Sequence, residues 1–171
     1  MKRTISSFIL VLFSIVSLHA QDKKNYQGDV SIGGVVGLDR DFGSRAIVQT
    51  IHGVRYEGGA FVGAGVGAIF DSDGNLEMPL FGTFRQSFSP ARKLKPHVGA
   101  STGVCLNDSF RMSLYFAPEV GLQIGAIKFF VNYSFYDYRE DATLLDGGQR
   151  IYSTSKSHRF GAGIGIIFGK K

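Results

Sequence analysis

Alternation with a period of two restricts the fold of this chain more than any other feature of its sequence. Across residues 111–124, Met112, Leu114, Phe116, Pro118, Val120, Leu122 and Ile124 alternate with Ser113, Tyr115, Ala117, Glu119, Gly121 and Gln123. Successive side chains of a strand point to opposite faces, so this string predicts a strand with one apolar face and one small or polar face. Residues 26–38 repeat the pattern: Tyr26, Gly28, Val30, Ile32, Gly34, Val36 and Leu38 stand against Gln27, Asp29, Ser31, Gly33, Val35 and Gly37. Apolar positions at helical spacing are scarce. Eight strand segments are predicted, over residues 27–38, 45–56, 59–70, 75–88, 94–105, 111–124, 126–138 and 154–168. Turn-favouring residues separate them: Glu57-Gly58, Asp71-Ser72-Asp73-Gly74, Ser89-Pro90, Asn107-Asp108 and Gly125. No linker, low-complexity stretch or second domain interrupts the series, and the Gly-rich strands are too irregular in period for a solenoid.

At the N-terminus, Lys2 and Arg3 precede the apolar run Ile9 to Val16, and Ser17-Leu18-His19-Ala20 offers a small-residue cleavage site before Gln21. This pattern predicts a secretory signal peptide over residues 1–20, cut after Ala20; the apolar run is well short of the roughly 20 residues that a spanning helix needs. Removing it takes two cations and no acids from a chain of 19 Lys and Arg against 14 Asp and Glu, so the net charge falls from +5 to +3. The basic balance is therefore no argument for a nucleic-acid partner. Cys105 is the single cysteine, so no internal disulfide can form.

A soluble barrel with an apolar pocket and a membrane barrel with an apolar exterior give the same alternating string. Volume and charge favour the second. The apolar face carries bulky Phe, Leu, Ile, Met and Val on nearly every segment, whereas the other is dominated by Gly and Ser with isolated charges. An eight-stranded barrel has an interior only just wide enough for side chains to fill. Segments of about 11 residues, tilted about 45°, rise roughly 26 Å, which suits a bilayer core. The expected fold is all-β: an eight-stranded antiparallel up-and-down transmembrane β-barrel over residues 21–171.

On this reading Ala60, Val62, Ala64, Val66, Ala68 and Phe70 face lipid, and Gly63, Gly65 and Gly67 leave interior room for long polar groups from other strands. By parity, the inward polar set is Arg45, Gln49, Arg55, Glu77, Arg85, Lys95, His97, Glu119, Lys128, Asn132 and Arg159. Ions with little access to water must pair, so Glu77 and Glu119 are expected to accept from these cations. The result is a plugged, salt-bridged interior or, alternatively, a narrow polar path for small solutes. Segment two is the least regular, with Ile47 and Ile51 on the supposed inner face.

An exported chain with eight strands puts both its ends in the periplasm and connections one, three, five and seven outside. Those connections hold Asp39, Asp41, Asp71, Asp73, Asp108, Glu140, Asp141 and Asp146, whereas Arg92 and Lys93 lie in an inner turn and Lys170 and Lys171 end the chain. The longest outer loop is predicted near residues 139–153.

"TIHGVRYEGGAFVGAGVGAIF", "LEMPLFGTFRQSF" and "YFAPEVGLQIG" resemble the small eight-stranded outer-membrane barrels, the OmpA transmembrane domain and the OmpX-like group, and outer-membrane barrel-domain proteins of Bacteroidota. The resemblance covers residues 22–168. It implies the outer membrane of a Gram-negative bacterium, with outer-membrane lipids, lipopolysaccharide and the insertion machinery as partners, and no cofactor. Two departures stand out: Phe168 is followed by Gly169-Lys170-Lys171, so the closing aromatic is not terminal, and no peptidoglycan-binding domain of the full OmpA type is expected.

Catalytic and metal signals are weak. Some barrels of this size modify lipid A, and Ser155-Lys156-Ser157-His158 invites comparison, but Ser157 and His158 are strand neighbours and point to opposite faces. His52 and His97 read as structural. Asp71-Ser72-Asp73-Gly74-Asn75 begins like a calcium loop, yet Leu76 and Gly82 stand where that pattern needs Gly and Glu. The expected function is a non-enzymatic structural or surface-interaction protein, the composition of its last outer loop encoding no particular partner; a narrow porin-like channel and a lipid A-modifying enzyme are the alternatives.

Overall fold

The computed structural model describes residues 25–38, 43–72, 74–88, 93–107, 111–144 and 150–169, the side chains of 138–144 and 150–155 excepted. The predicted signal peptide, Asp39, Asp41, Asp73, Ser89-Pro90, Arg92, Asp108, Asp146 and the terminal lysines lie outside the described residues, as do the side chains of Glu140, Asp141 and Ser155.

Eight strands close into one antiparallel barrel in chain order: β1 (Tyr26–Gly37), β2 (Ser44–Arg55), β3 (Ala60–Phe70), β4 (Leu76–Ser87), β5 (Leu94–Leu106), β6 (Met112–Ile124), β7 (Ile127–Leu144) and β8 (Arg150–Phe168). The connections β2–β3, β4–β5 and β6–β7 share what we term the near end with Asn25 and Gly169. Their turns are local solutions. Gly59 (φ 86°) closes the Tyr56–Ala60 turn, where the Gly59 N–H donates to the Tyr56 carbonyl at 3.0 Å. Gly125 (φ 60°) allows a two-residue link between the paired Ile124 and Ile127.

Register around the barrel sets its shape. Following partners from Gly28 leads through His52, Ala64, Gly82, Thr102, Phe116 and Phe135 to His158, whose carbonyl accepts from the Leu38 N–H, ten residues beyond the start. A stagger of this size over eight strands corresponds to a tilt of roughly 40°. Strands β1 to β6, of 11 to 13 residues, then rise about 25–30 Å.

Polarity is inverted relative to a soluble protein. Ile32, Leu114 and Ile166 are each 61% exposed, while Lys128 and Arg159 are 0% exposed. Outward Val, Leu, Ile, Phe and Met occur on every strand. This apolar band has the height of a bilayer core, and a closed ladder leaves no backbone group unpaired along an edge within it. The fold is therefore a transmembrane β-barrel.

Two features differ from the sequence expectation. First, the predicted outer loop at 139–153 is mostly strand: β7 reaches Leu144 and β8 starts at Arg150. The β6–β7 ladder ends at Ser113↔Tyr138 and the β8–β1 ladder at Arg159↔Gly37, so β7 and β8 continue beyond the rim and, among the described residues, pair there only with each other. A register shift between Glu140 and Thr143 marks this extension. Outside the lipid no apolar face is required, so alternation fades there and the strand signal fades with it.

Second, the interior is not filled by polar groups alone. Val35, Ile47, Ile51, Phe61, Ile69, Phe81, Tyr115, Phe130 and Tyr136 are all buried inside. The space left by the glycines of β3 is taken by apolar neighbours rather than by long polar chains: a Cβ on Gly65 would lie 2.7 Å from the Phe81 ring, and one on Gly63 would lie 2.8 Å from Phe61. Gly65→Val should therefore cost about 1–3 kcal/mol by overpacking. Urea unfolding of the refolded barrel measures it; an unchanged midpoint would show that Phe81 can move aside freely.

Candidate functional site: the ionic interior

The stagger brings inward residues of distant strands to common levels and sorts their charges into two clusters. In the cluster towards the far end, Glu77 on β4 meets Arg159 on the opposite wall, where Arg159 Nη1 donates to Glu77 Oε2 at 2.6 Å and Nη2 donates to Oε1 at 3.1 Å. Arg45 of β2 also donates to Glu77 Oε1 and lies 3.7 Å from Asp71. The Arg159 guanidinium is seated 4.1 Å from the centre of the Tyr136 ring, and its Nε donates to Ser157 Oγ at 3.3 Å. Among the described residues, two cations face two acids here.

The second cluster lies towards the near end. Asp29 of β1, completely buried, accepts from Arg85 of β4 at 3.1 Å and pairs with Lys128 of β7 at 2.7 Å. Glu119 of β6 is 3.3 Å from Arg85 Nε, 3.7 Å from Lys128 Nζ and 3.1 Å from His97 Nε2 of β5. Aromatic faces complete the cation sites: Phe61 lies 5.5 Å from Arg85 and Phe130 lies 4.6 Å from Lys128. Two acids here face Arg85 and Lys128, with His97 beside Glu119. Asp29 Oδ1 and Ser31 Oγ are buried with no hydrogen-bond partner.

An apolar layer packs between the two. Phe81, Tyr115 and Tyr136 form a ladder with ring centres 5.6 and 5.2 Å apart, flanked by Ile47, Ile51 and Cys105. This apolar layer separates the two ionic clusters.

The structure places the eleven residues selected by parity as follows. Arg45, Glu77 and Arg159 join the far cluster; Arg85, His97, Glu119 and Lys128 join the near one. Gln49 and Asn132 are buried within the wall lining. Arg55 and Lys95 belong to neither cluster and line a cavity at the near end. The selection omitted Asp29, although it shares the odd parity of the polar face of β1; its position in the sequence carried the signal.

Polar side chains on the outward face satisfy one another. Tyr26 Oη is hydrogen-bonded to His52 Nδ1 at 2.5 Å, with Thr50 Oγ1 3.0 Å from His52 Nε2. Tyr133 Oη is likewise bonded to His158 Nδ1 at 2.5 Å. His158 thus points outward while Ser157, 0% exposed, points inward to Arg159, and the two form no nucleophile–base pair. At the Asp71 turn, the carboxylate accepts from the Asn75 backbone N–H and side-chain amide, both at 2.8 Å, and Gly74 adopts φ 83°. Those contacts are the geometry of a hairpin turn. Among the described residues, no group of three His, Cys, Asp or Glu is placed to hold a metal ion.

The architecture recurs among solved structures. Neisserial surface protein A (NspA) superposes with a TM-score of 0.52 at 14% identity, covering 84% of this chain and 96% of that one. A de novo designed transmembrane β-barrel gives 0.49 at 13% identity, over 87% and 99% of the two chains. No protein-family model and no curated protein matches the sequence. At these identities the likeness is one of fold.

Proposed function

We propose that the chain is an integral outer-membrane β-barrel protein without enzymatic activity, which presents its β7–β8 hairpin to a partner outside the cell. The near end then faces the periplasm and the far end the exterior, with residues 1–20 serving as the export signal. One observation carries the surface role: β7 and β8, of 18 and 19 residues against 11 to 13 for the others, continue past the rim paired with each other. Six residues of β7 beyond Tyr138 extend roughly 20 Å along the strand. The bilayer does not require this length. The fold shared with NspA, a surface protein by its name, supports the location.

The interior supports a closed barrel over a channel. A solute would have to separate Glu77 from Arg159 and pass the Phe81–Tyr115–Tyr136 ladder.

Fractionation and protease treatment of intact cells test the reading. The protein is expected in the outer-membrane fraction, with a gel mobility that shifts on boiling and with cleavage confined to the β7–β8 hairpin. Deleting residues 141–152 should leave the shift intact and abolish cleavage. Recovery from the soluble periplasm would refute the location, stepwise conductance in planar bilayers would favour a channel, and altered lipid A masses would favour an enzyme.

A further inference from the structure

Beneath the near cluster the barrel opens into a cavity of about 520 Å³. Its inward-facing cations are Arg55 and Lys95, and among the described residues the acid in its lining is Glu57, exposed in the β2–β3 turn. The buried acids above it, Asp29 and Glu119, already answer to Arg85, Lys128 and His97. Arg55 therefore brings a half-buried guanidinium into the cavity with no ion pair or hydrogen bond among the described residues, and the Gln27 side-chain amide on the same wall also has none. Ile167, in register with the inward Asp29, provides apolar surface beside these donors.

We infer that this mouth is a binding site for a phosphate-bearing molecule of about glycerol phosphate size. The planar fork of an arginine matches two oxygens of a phosphate, and Lys95 adds a second positive charge. A cavity of 520 Å³ falls within the usual range for small-molecule sites of about 300–1,000 Å³. It also exceeds the roughly 30 Å³ share of one water many times over, so a bare anion would leave most of it unfilled, and the apolar surface of Ile167 suits the ligand's organic body. Two sources offer this chemistry: the phosphate of a headgroup in the adjoining leaflet, or a soluble phosphate ester. The site rests on geometry at the near end and not on the surface role of the hairpin, although calling its source periplasmic rests on the orientation proposed above.

The full chain, refolded in neutral detergent and verified by its heat-dependent gel shift, would be titrated calorimetrically with glycerol 3-phosphate. In parallel, barrels extracted from phosphatidylglycerol or phosphatidylcholine vesicles would be weighed by native mass spectrometry. Saturable binding of glycerol 3-phosphate indicates a soluble ester; retention of phosphatidylglycerol alone indicates a headgroup; either supports the site. Arg55→Gln with Lys95→Gln should weaken binding by about tenfold or more, while Arg111→Gln at the opposite end should not. Absence of both ligands on the wild-type barrel would overturn the proposal whether or not the variants fold. Equal binding by the double variant and the wild type would also overturn it.

Discussion

Glu77→Ala should destabilise the barrel by about 3–5 kcal/mol, the cost of leaving a buried charge without its partner. Arg159 is 0% exposed and its two terminal nitrogens both donate to Glu77, while Arg45 shares the same carboxylate. Removing that carboxylate leaves two guanidinium groups side by side, with Asp71 3.7 Å from Arg45. Urea titration of the barrel in lipid vesicles, followed by tyrosine fluorescence and gel shift, measures the loss. Removing both partners, as in Glu77→Ala with Arg159→Met, should cost less than the sum of the single changes, because the methionine can pack against Tyr136 without a counter-ion. Strictly additive losses would show that the contact across the lumen contributes no coupling energy. The same experiment on Asp29, which bridges Arg85 and Lys128, tests whether the near cluster behaves alike.

Val131→Arg should cost about 2–4 kcal/mol, and Leu114→Arg only about 0–1 kcal/mol. Both side chains point outward, 40% and 61% exposed. Val131 sits in the middle of the band, paired with Val120 and Ala162, whereas Leu114 is two residues from the far end of β6. Only an apolar environment that deepens towards the middle makes the less exposed site the costlier one by this margin when neither substitution enters the packed interior. Unfolding from vesicles and from a solution of neutral detergent should both preserve the order. Equal costs at the two positions would contradict a lipid-facing band.

Particular residues show what could be read before the fold was known. The parity of β6, with Leu114 and Val120 against Ser113 and Glu119, separates its two faces, because burial on one face requires a period of two, and the bulk of the uncharged face assigns it to lipid. Asp29 carried the same parity signal as Glu119, and only its omission from the charged set hid it. Ile47 and Ile51 broke the pattern of β2 for a reason visible only in three dimensions: they fill the layer between the clusters beside Phe81 and Tyr115. The β7–β8 extension was also hidden, since a hairpin surrounded by water on both faces need not alternate.

Charge pairing could not be read in this way. Glu77 and Arg159 are 82 residues apart in sequence, and their meeting depends on the ten-residue stagger accumulated around the closed ladder. A shift of two residues in any one strand pairing would keep every side chain on its proper face yet move the acids to other levels. Alternation is local and is written in each strand, so the amino-acid sequence by itself determined eight strands, their two faces and hence a barrel turned outward to lipid. Register around a closed ring is a global quantity, so only the tertiary structure decided which cations answer Glu77, Glu119 and Asp29, and which cation, Arg55, is left facing an open cavity.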